Sequence, residues 1–337
     1  MRVLILGCGS IGTRHLRNLL ELGGQQVVAF DPRPDRVQAI AQTFDGVDVC
    51  TDPAEAWSAT PDAAIVASPS SCHLEQALEG AARGIPLLVE KPLAHRIDGD
   101  LTRLLETTRI KELVTMVGCN MRFHPGPALV KRLIQEGRIG RVLFARVFGG
   151  SYLPDLHPEE DHRARYSGRR SLGGGCVLDG IHEIDLARWY VGEVRTVGAL
   201  LGQVGELGID VEDLASIVMR HEGGQQSEVH LDYVQRLRIR GCVVVGTEGT
   251  LQWEWSDPVV RRYSASDGSH RELPLPPDWD LNQMYMDEMR HFLECVKAGG
   301  TTCNPFSDAA RVTAVALAAR VSDESRAFVD IDDIFPA

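Results

Sequence analysis

The residues most suggestive of chemistry open the chain. Gly7-Cys8-Gly9-Ser10-Ile11-Gly12 is a G-x-G-x-x-G loop set directly after the apolar run Val3 to Leu6 and ahead of a helix-period stretch. In that setting Gly7 permits a tight turn, Gly9 lets a diphosphate approach the backbone, and Gly12 lets helix and strand pack closely, with Ser10 and Ile11 opening the helix. Asp31 closes the next apolar run, Val27 to Phe30, where a carboxylate accepts from an adenosine ribose. Such a carboxylate repels a 2'-phosphate, so NAD is expected ahead of NADP, although Arg33, two residues on, is able to turn toward that phosphate. A second cluster lies in Ser151 to Leu172, with Tyr152, Tyr166, His157, His162 and four arginines at 163, 165, 169 and 170. Guanidinium groups so placed clamp a phosphate or carboxylate, unless Asp155, Glu159, Glu160 and Asp161 neutralise them as a solvated face.

These residues need a scaffold, and the chain is long enough for two domains: 337 residues, 44% hydrophobic and 24% charged. Its net charge of -12 argues against a nucleic-acid field, so any anion must be gripped locally. The eight cysteines stand singly, without the spacing of a zinc or redox motif, and are expected to be small buried fillers in a reducing cytoplasm; no metal is called for. No run has the length of a membrane span.

Up to about residue 119, continuous aliphatic runs (3–6, 27–30, 63–67, 87–89, 113–117) alternate with helix-period stretches, the pattern of a doubly wound parallel sheet. From 120 to 337 the runs are longer and several alternate, as in Leu237 and Ile239 against Arg236, Arg238 and Arg240. That pattern predicts an α/β domain with an open, mostly antiparallel sheet, one face of which is free to pack on another copy in a homodimer or homotetramer. Two helices, about 281–297 and 307–325, are expected near the end.

The chain resembles the Gfo/Idh/MocA oxidoreductases. The matching residues are Gly7 to Gly12 with Arg14 and His15; Ser68-Pro69 with His73; Glu90-Lys91-Pro92; Gly118 to Phe123, including Asn120 and Arg122; and Gly173-Gly174-Gly175 followed by Asp179, His182 and Asp185. The resemblance implies a Rossmann domain, a second α/β domain, and hydride exchange between a nicotinamide cofactor and a secondary hydroxyl of a sugar, cyclitol or similar molecule. It makes Lys91 a catalytic residue that orients the hydroxyl beside the nicotinamide, where positive charge lowers the lysine pKa. His182 is then the base, held by Asp179 or by Asp185, each three residues away on the expected helix. This chain has two residues between Asp179 and His182 where the family usually has three, so Asp179 also reads as a helix-start carboxylate. Ser68, Pro69, His73 and Glu90 would line the cofactor, His73 reading equally as the start of a helix, and Asn120 and Arg122, at the hand-over between domains, the substrate, Arg122 otherwise forming an interdomain ion pair. Tyr152, Arg163, Arg165 and Tyr166 complete the expected substrate side, with an anionic sugar derivative in view. Two other readings share the scaffold: a non-catalytic NAD-sensing regulator, against which Lys91 and His182 argue, and an NAD-dependent glycosidase.

Overall fold

Short β-branched runs ending in glycine or polar turns commit the first part of the chain to buried strands joined by helices. The computed structural model describes residues 1–335. It begins β1 (Arg2–Leu6), α1 (Ser10–Leu22), β2 (Gln26–Phe30), α2 (Pro34–Thr43), β3 (Val47–Cys50) and α3 (Pro53–Ser58). It continues with β4 (Ala63–Val66), α4 (Ser70–Ala82), β5 (Leu87–Glu90), α5 (Gly99–Ile110) and β6 (Thr115–Gly118). The strands stand in the order β3-β2-β1-β4-β5-β6, all parallel, so their carboxyl ends share one edge. The order reverses between β1 and β4, the point at which such sheets take ligands. Strands β1 and β4 are apolar without alternation because helices cover both faces; Val3, Leu4, Ile5 and Ala63 to Val66 have no exposed surface.

Sequence reading missed β3, whose burial alternates as at a sheet edge, and the short helices α3 and α5, which Asp52 and Asp98 cap through backbone N–H groups. It also treated everything after 119 as one further domain. Two compact units are observed: Met1–Asn120 together with Leu281–Ala310, and Met121–Asp280 together with the chain from Arg311 onward. The returning segment carries α9 (Gln283–Ala298), packed on α1, and a loop that bonds β6: Thr302 Oγ1 donates to Thr115 O at 2.6 Å and Val117 N to Asn304 O at 2.9 Å. Only a long-range pairing reveals this.

The second unit contains α6 (Pro125–Gln135), β7 (Val142–Tyr152), α7 (Cys176–Asp179), α8 (Ile181–Val191), β8 (Val194–Gly202), β9 (Leu214–His221), β10 (Gln226–Asp232), β11 (Val234–Gly246), β12 (Gly249–Glu254), β13 (Val259–Ser264) and β14 (His270–Pro274). After α9 (Gln283–Ala298), the helix α10 (Phe306–Ser325) gives its start to the first unit and its remainder to the second, which closes with β15 (Val329–Asp330) and α11 (Ile331–Ile334). The sheet runs β14-β13-β12-β11-β7-β10-β9-β8-β15, antiparallel except for β7 beside β10. Helix α8 lies on β7 and β10, buried from Ile181 to Arg188.

The alternation expected around Leu237 does not make a buried face. Leu237 is 76% exposed, because β11 slips register against β7 between Val234 and Ile239. In the slipped stretch Arg236 lies 3.5 Å over the Tyr152 ring, which is thereby occupied, and Arg238 sits 5.0 Å over Trp255. Nor are all cysteines buried; Cys303 is exposed. No described helix is long and apolar enough to cross a membrane.

Inside the second unit, Arg122 donates from Nε to Asp185 Oδ2 at 2.8 Å and from Nη2 to Oδ1 at 2.5 Å, with both side chains buried. The pair ties the turn ahead of α6 to the middle of α8. Removing one partner strands a charge in low dielectric, whereas removing both does not. Arg122→Ala is therefore expected to cost about 3–5 kcal/mol in urea unfolding at pH 7, and the double change Arg122→Met with Asp185→Leu far less. A single-variant loss near zero would show that water reaches the pair.

Candidate functional site

The glycine loop is shaped by close approach. Gly7 has φ of +103°, and a Cβ there would sit 2.8 Å from Ala67 O and Ser68 N, so the loops after β1 and β4 touch. A Cβ on Gly12 would fall 1.8 Å from Gly7 O, so α1 can start here only on glycine. Around Gly9 the nearest atom to an added Cβ is Arg36 Nη1 at 3.9 Å, leaving room over the helix start, where no side chain caps the first N–H groups. Asp31, 2% exposed, accepts from Cys8 N at 2.8 Å and Arg33 N at 3.0 Å. The guanidinium beside it is that of Arg36, at 3.2 Å; the Arg33 side chain turns outward to Asp35 at 2.6 Å, so the expected competition from Arg33 is not made. Burial, reinforced by the Asp31 charge, pushes the Cys8 thiol up to about 12 and leaves it inert. Room at Gly9, open helix donors and a carboxylate on the rim fit a dinucleotide.

On the same sheet edge, Lys91 follows β5 in a turn held from several sides. Glu90 Oε1 meets His15 Nε2 at 2.6 Å, both side chains being buried, and Glu90 Oε2 accepts from Lys91 N at 3.3 Å. Burial alone would raise the Glu90 carboxyl; the hydrogen bond and charge of His15, with Lys91 and His73 nearby, bring it below its ordinary value. Gly118 gives that carboxyl space, since a Cβ there would lie 3.3 Å from it. His73, 1% exposed, bridges Pro92 O at 2.7 Å and Ser68 O at 2.9 Å, and burial lowers its pKa. Its ring thus joins the loops after β4 and β5 instead of lining a cofactor as expected. Ser68 is half-buried, with Oγ donating to Gln76 at 2.8 Å, while Pro69 and Ser10 are exposed, Ile11 half-buried and Asn120 buried.

Two residues of α9 join this group unannounced by the sequence reading. Tyr285 lies under Arg14, 4.5 Å from ring centre to guanidinium, and its phenol is raised by burial and then by the Glu90 charge. Glu288 is the other. Its position inside the apolar stripe Met284, Glu288, Phe292 was the available signal.

In the second unit the three glycines again answer to packing. A Cβ on Gly174 would lie 2.2 Å from Tyr166 O and one on Gly175 2.2 Å from Glu212 Oε1. Arg320 Nη2 donates to Gly174 O at 2.7 Å and to Glu212 at 2.8 Å, which fixes the turn. Asp179 and His182 do not share one helix as expected. Helix α7 ends at Asp179, Gly180 turns the chain, and α8 begins at Ile181. Asp179 accepts from Tyr166 OH at 2.5 Å and Tyr233 OH at 3.0 Å, and burial followed by that carboxylate raises the Tyr233 phenol well above its usual value. Asp185 has both oxygens on Arg122, so the ion pair of that arginine is made within this unit and is not the interdomain pair expected. His182 is buried, 7% exposed.

Two of the four arginines in the 163–170 loop are paired with its own carboxylates. Arg163 bonds Asp161 from Nε at 2.9 Å and Nη2 at 3.0 Å, and Arg165 bonds Glu160 at 2.5 Å. Arg163 in turn holds Asp161 down at about 2. The case for an anion clamp therefore loses its two leading members.

Residues 1–119 match the model of an oxidoreductase family with an NAD-binding Rossmann fold, and residues 128–252 match the GFO/IDH/MocA C-terminal domain. The chain is 27% identical to Inositol 2-dehydrogenase 2 of Saccharopolyspora erythraea, covering 90% of this chain and 86% of the relative. It is likewise 27% identical to scyllo-inositol 2-dehydrogenase (NAD(+)) of Bacillus subtilis, over 98% and 96%. Among solved structures, levoglucosan dehydrogenase in complex with NADH superposes with a TM-score of 0.88 at 23% identity, covering 98% of this chain and 99% of that one. The fold, the glycine loop and the Glu90-Lys91-Pro92 turn accordingly have one common explanation: this chain belongs to the Gfo/Idh/MocA family of NAD-binding oxidoreductases.

Proposed function

We propose that the protein is an NAD-dependent dehydrogenase that oxidises a secondary hydroxyl of a neutral sugar or cyclitol. The observation that carries this reading is the braced Lys91 turn on the same carboxyl edge as the glycine loop and Asp31. The kinship with inositol and levoglucosan dehydrogenases supports the substrate class. The nicotinamide of bound NAD supplies the hydride acceptor. The N–H groups at the start of α1 hold the diphosphate, and Asp31 accepts from the adenosine ribose. Lys91 donates to the substrate oxygen and fixes its orientation. His182 takes the hydroxyl proton, a task suited to an imidazole, and Asp179, itself fixed by Tyr166 and Tyr233, orients it. Loss of a proton from oxygen then accompanies loss of hydride from carbon, leaving a ketone.

We also infer a homo-oligomer in a reducing compartment. The second sheet leaves Leu200 and Val218 exposed, Phe328 is exposed just before β15, and none of the eight cysteines is in a disulfide.

NAD is expected to bind more tightly than NADP in a fluorescence titration, and Asp31→Ser to narrow the gap; equal affinities in the unmodified protein would mean that Arg36, not Asp31, governs the ribose end. Lys91→Ala and His182→Ala are each expected to lower kcat by about 10²–10⁴-fold while leaving NAD affinity nearly unchanged. Near-normal turnover in either would remove that residue from the chemistry. Replacing Arg163 and Arg165 together by alanine is expected to leave KM for a neutral polyol unchanged, and a marked rise in KM would restore the anionic substrate.

A further inference from the structure

Glu288 is a buried carboxyl for which the proposed mechanism has no use. It sits on α9 amid Met284, Met289, Phe292 and Leu293, has no exposed surface, and neither of its oxygens has a hydrogen-bond partner among the described residues. A carboxylate in such a place loses its hydration without compensation, which is costly enough that the group keeps its proton instead. Its electrostatic neighbour works in the same direction. Glu90 is near enough for its negative charge to add to the effect of burial, and together they hold the Glu288 carboxyl well above its usual range. The other titratable or charged groups around this cluster are His15 and Arg14 on α1, His73 on α4, Lys91 after β5, and Tyr285 one turn before Glu288.

We infer that Glu288, fully buried with neither oxygen hydrogen-bonded, is a positioning residue that acts through Glu90: as the neutral acid it leaves the Lys91 turn facing the single charge of Glu90, whereas a second charge there retains the Lys91 proton. The role for Lys91 rests on the dehydrogenase reading; the protonation of Glu288 does not. The two are therefore tested by different readouts.

The first readout is thermal unfolding of the unmodified protein and of Glu288→Gln, an isosteric neutral group, from pH 5 to pH 8.5. A carboxyl whose folded pKa is raised favours the protonated folded state, so its contribution is fully present below the unfolded pKa, about 4.3, and is lost as pH rises toward the folded value. Glutamine has no such slope. The Tm advantage of Glu288→Gln is expected to widen steadily across the range, and a constant or reversed difference would overturn the inference. Glu288→Met, also neutral, is expected to follow Glu288→Gln; failure of both to fold would likewise overturn it, by showing that the ionised form is required. The second readout is the pH profile of kcat. Glu288→Gln is expected to keep turnover at pH 7 and to move the alkaline fall to lower pH, because the donating Lys91 then loses its proton sooner, an effect that mere packing does not produce. A tenfold loss at pH 7, or an unmoved alkaline limb, would remove the link to Lys91. Should no polyol be turned over while the Tm difference widens as expected, the dehydrogenase reading fails and the buried acid stands.

Discussion

A carboxylate drawn out of water at the end of a parallel strand must find a partner, and Glu90 finds His15 at 2.6 Å. Much of the first unit's site follows from that contact. His15 lies on α1, three residues beyond Gly12, so the glycine loop and the Lys91 turn are fixed to each other through one hydrogen bond. His73 adds a second tie, from Ser68 O to Pro92 O, and Gly118 leaves space for the Glu90 carboxyl where β6 ends. The loops after β1, β4, β5 and β6 thereby become one rigid rim. The role proposed for Lys91 needs such stiffness, because a reacting group displaced by about 1 Å loses much of its advantage.

The second unit uses the same means on different residues. Its glycine turn is pinned by Arg320 and Glu212, Asp179 by two phenols, and Asp185 by Arg122. In the 163–170 loop, Arg163 and Arg165 are likewise matched by Asp161 and Glu160. A chain with a net charge of -12 has little long-range attraction for anions, and within the loop Arg163 and Arg165 are already spent on Asp161 and Glu160.

What the sequence made legible was local. The glycine loop, Asp31 and the strand before Lys91 could be read because each motif is contiguous and bounded by its own turn. The pairing of His15 with Glu90, and the return of α9 to the first unit, join residues far apart in the chain and leave no local trace. Gly180 was misread for another reason: a three-residue spacing was taken as one helix although a glycine stood inside it, and the structure breaks there. Leu237 shows the limit of alternation, which presupposes an unbroken ladder that β11 does not keep. Glu288 was within reach, as a charged residue at an apolar helix position, a conflict that in a packed protein points to function or to a shifted pKa.

The central claim is that this rigid rim serves oxidation of a neutral polyhydric alcohol. The most direct measurement is NADH absorbance when the purified protein and NAD are supplied in turn with inositols, anhydro sugars, free sugars, sugar acids and glycosides. The account predicts NADH formation from at least one neutral cyclitol or sugar, with a ketone in matching amount. Turnover confined to acidic sugars, or cleavage of a glycoside without net NADH, would contradict it.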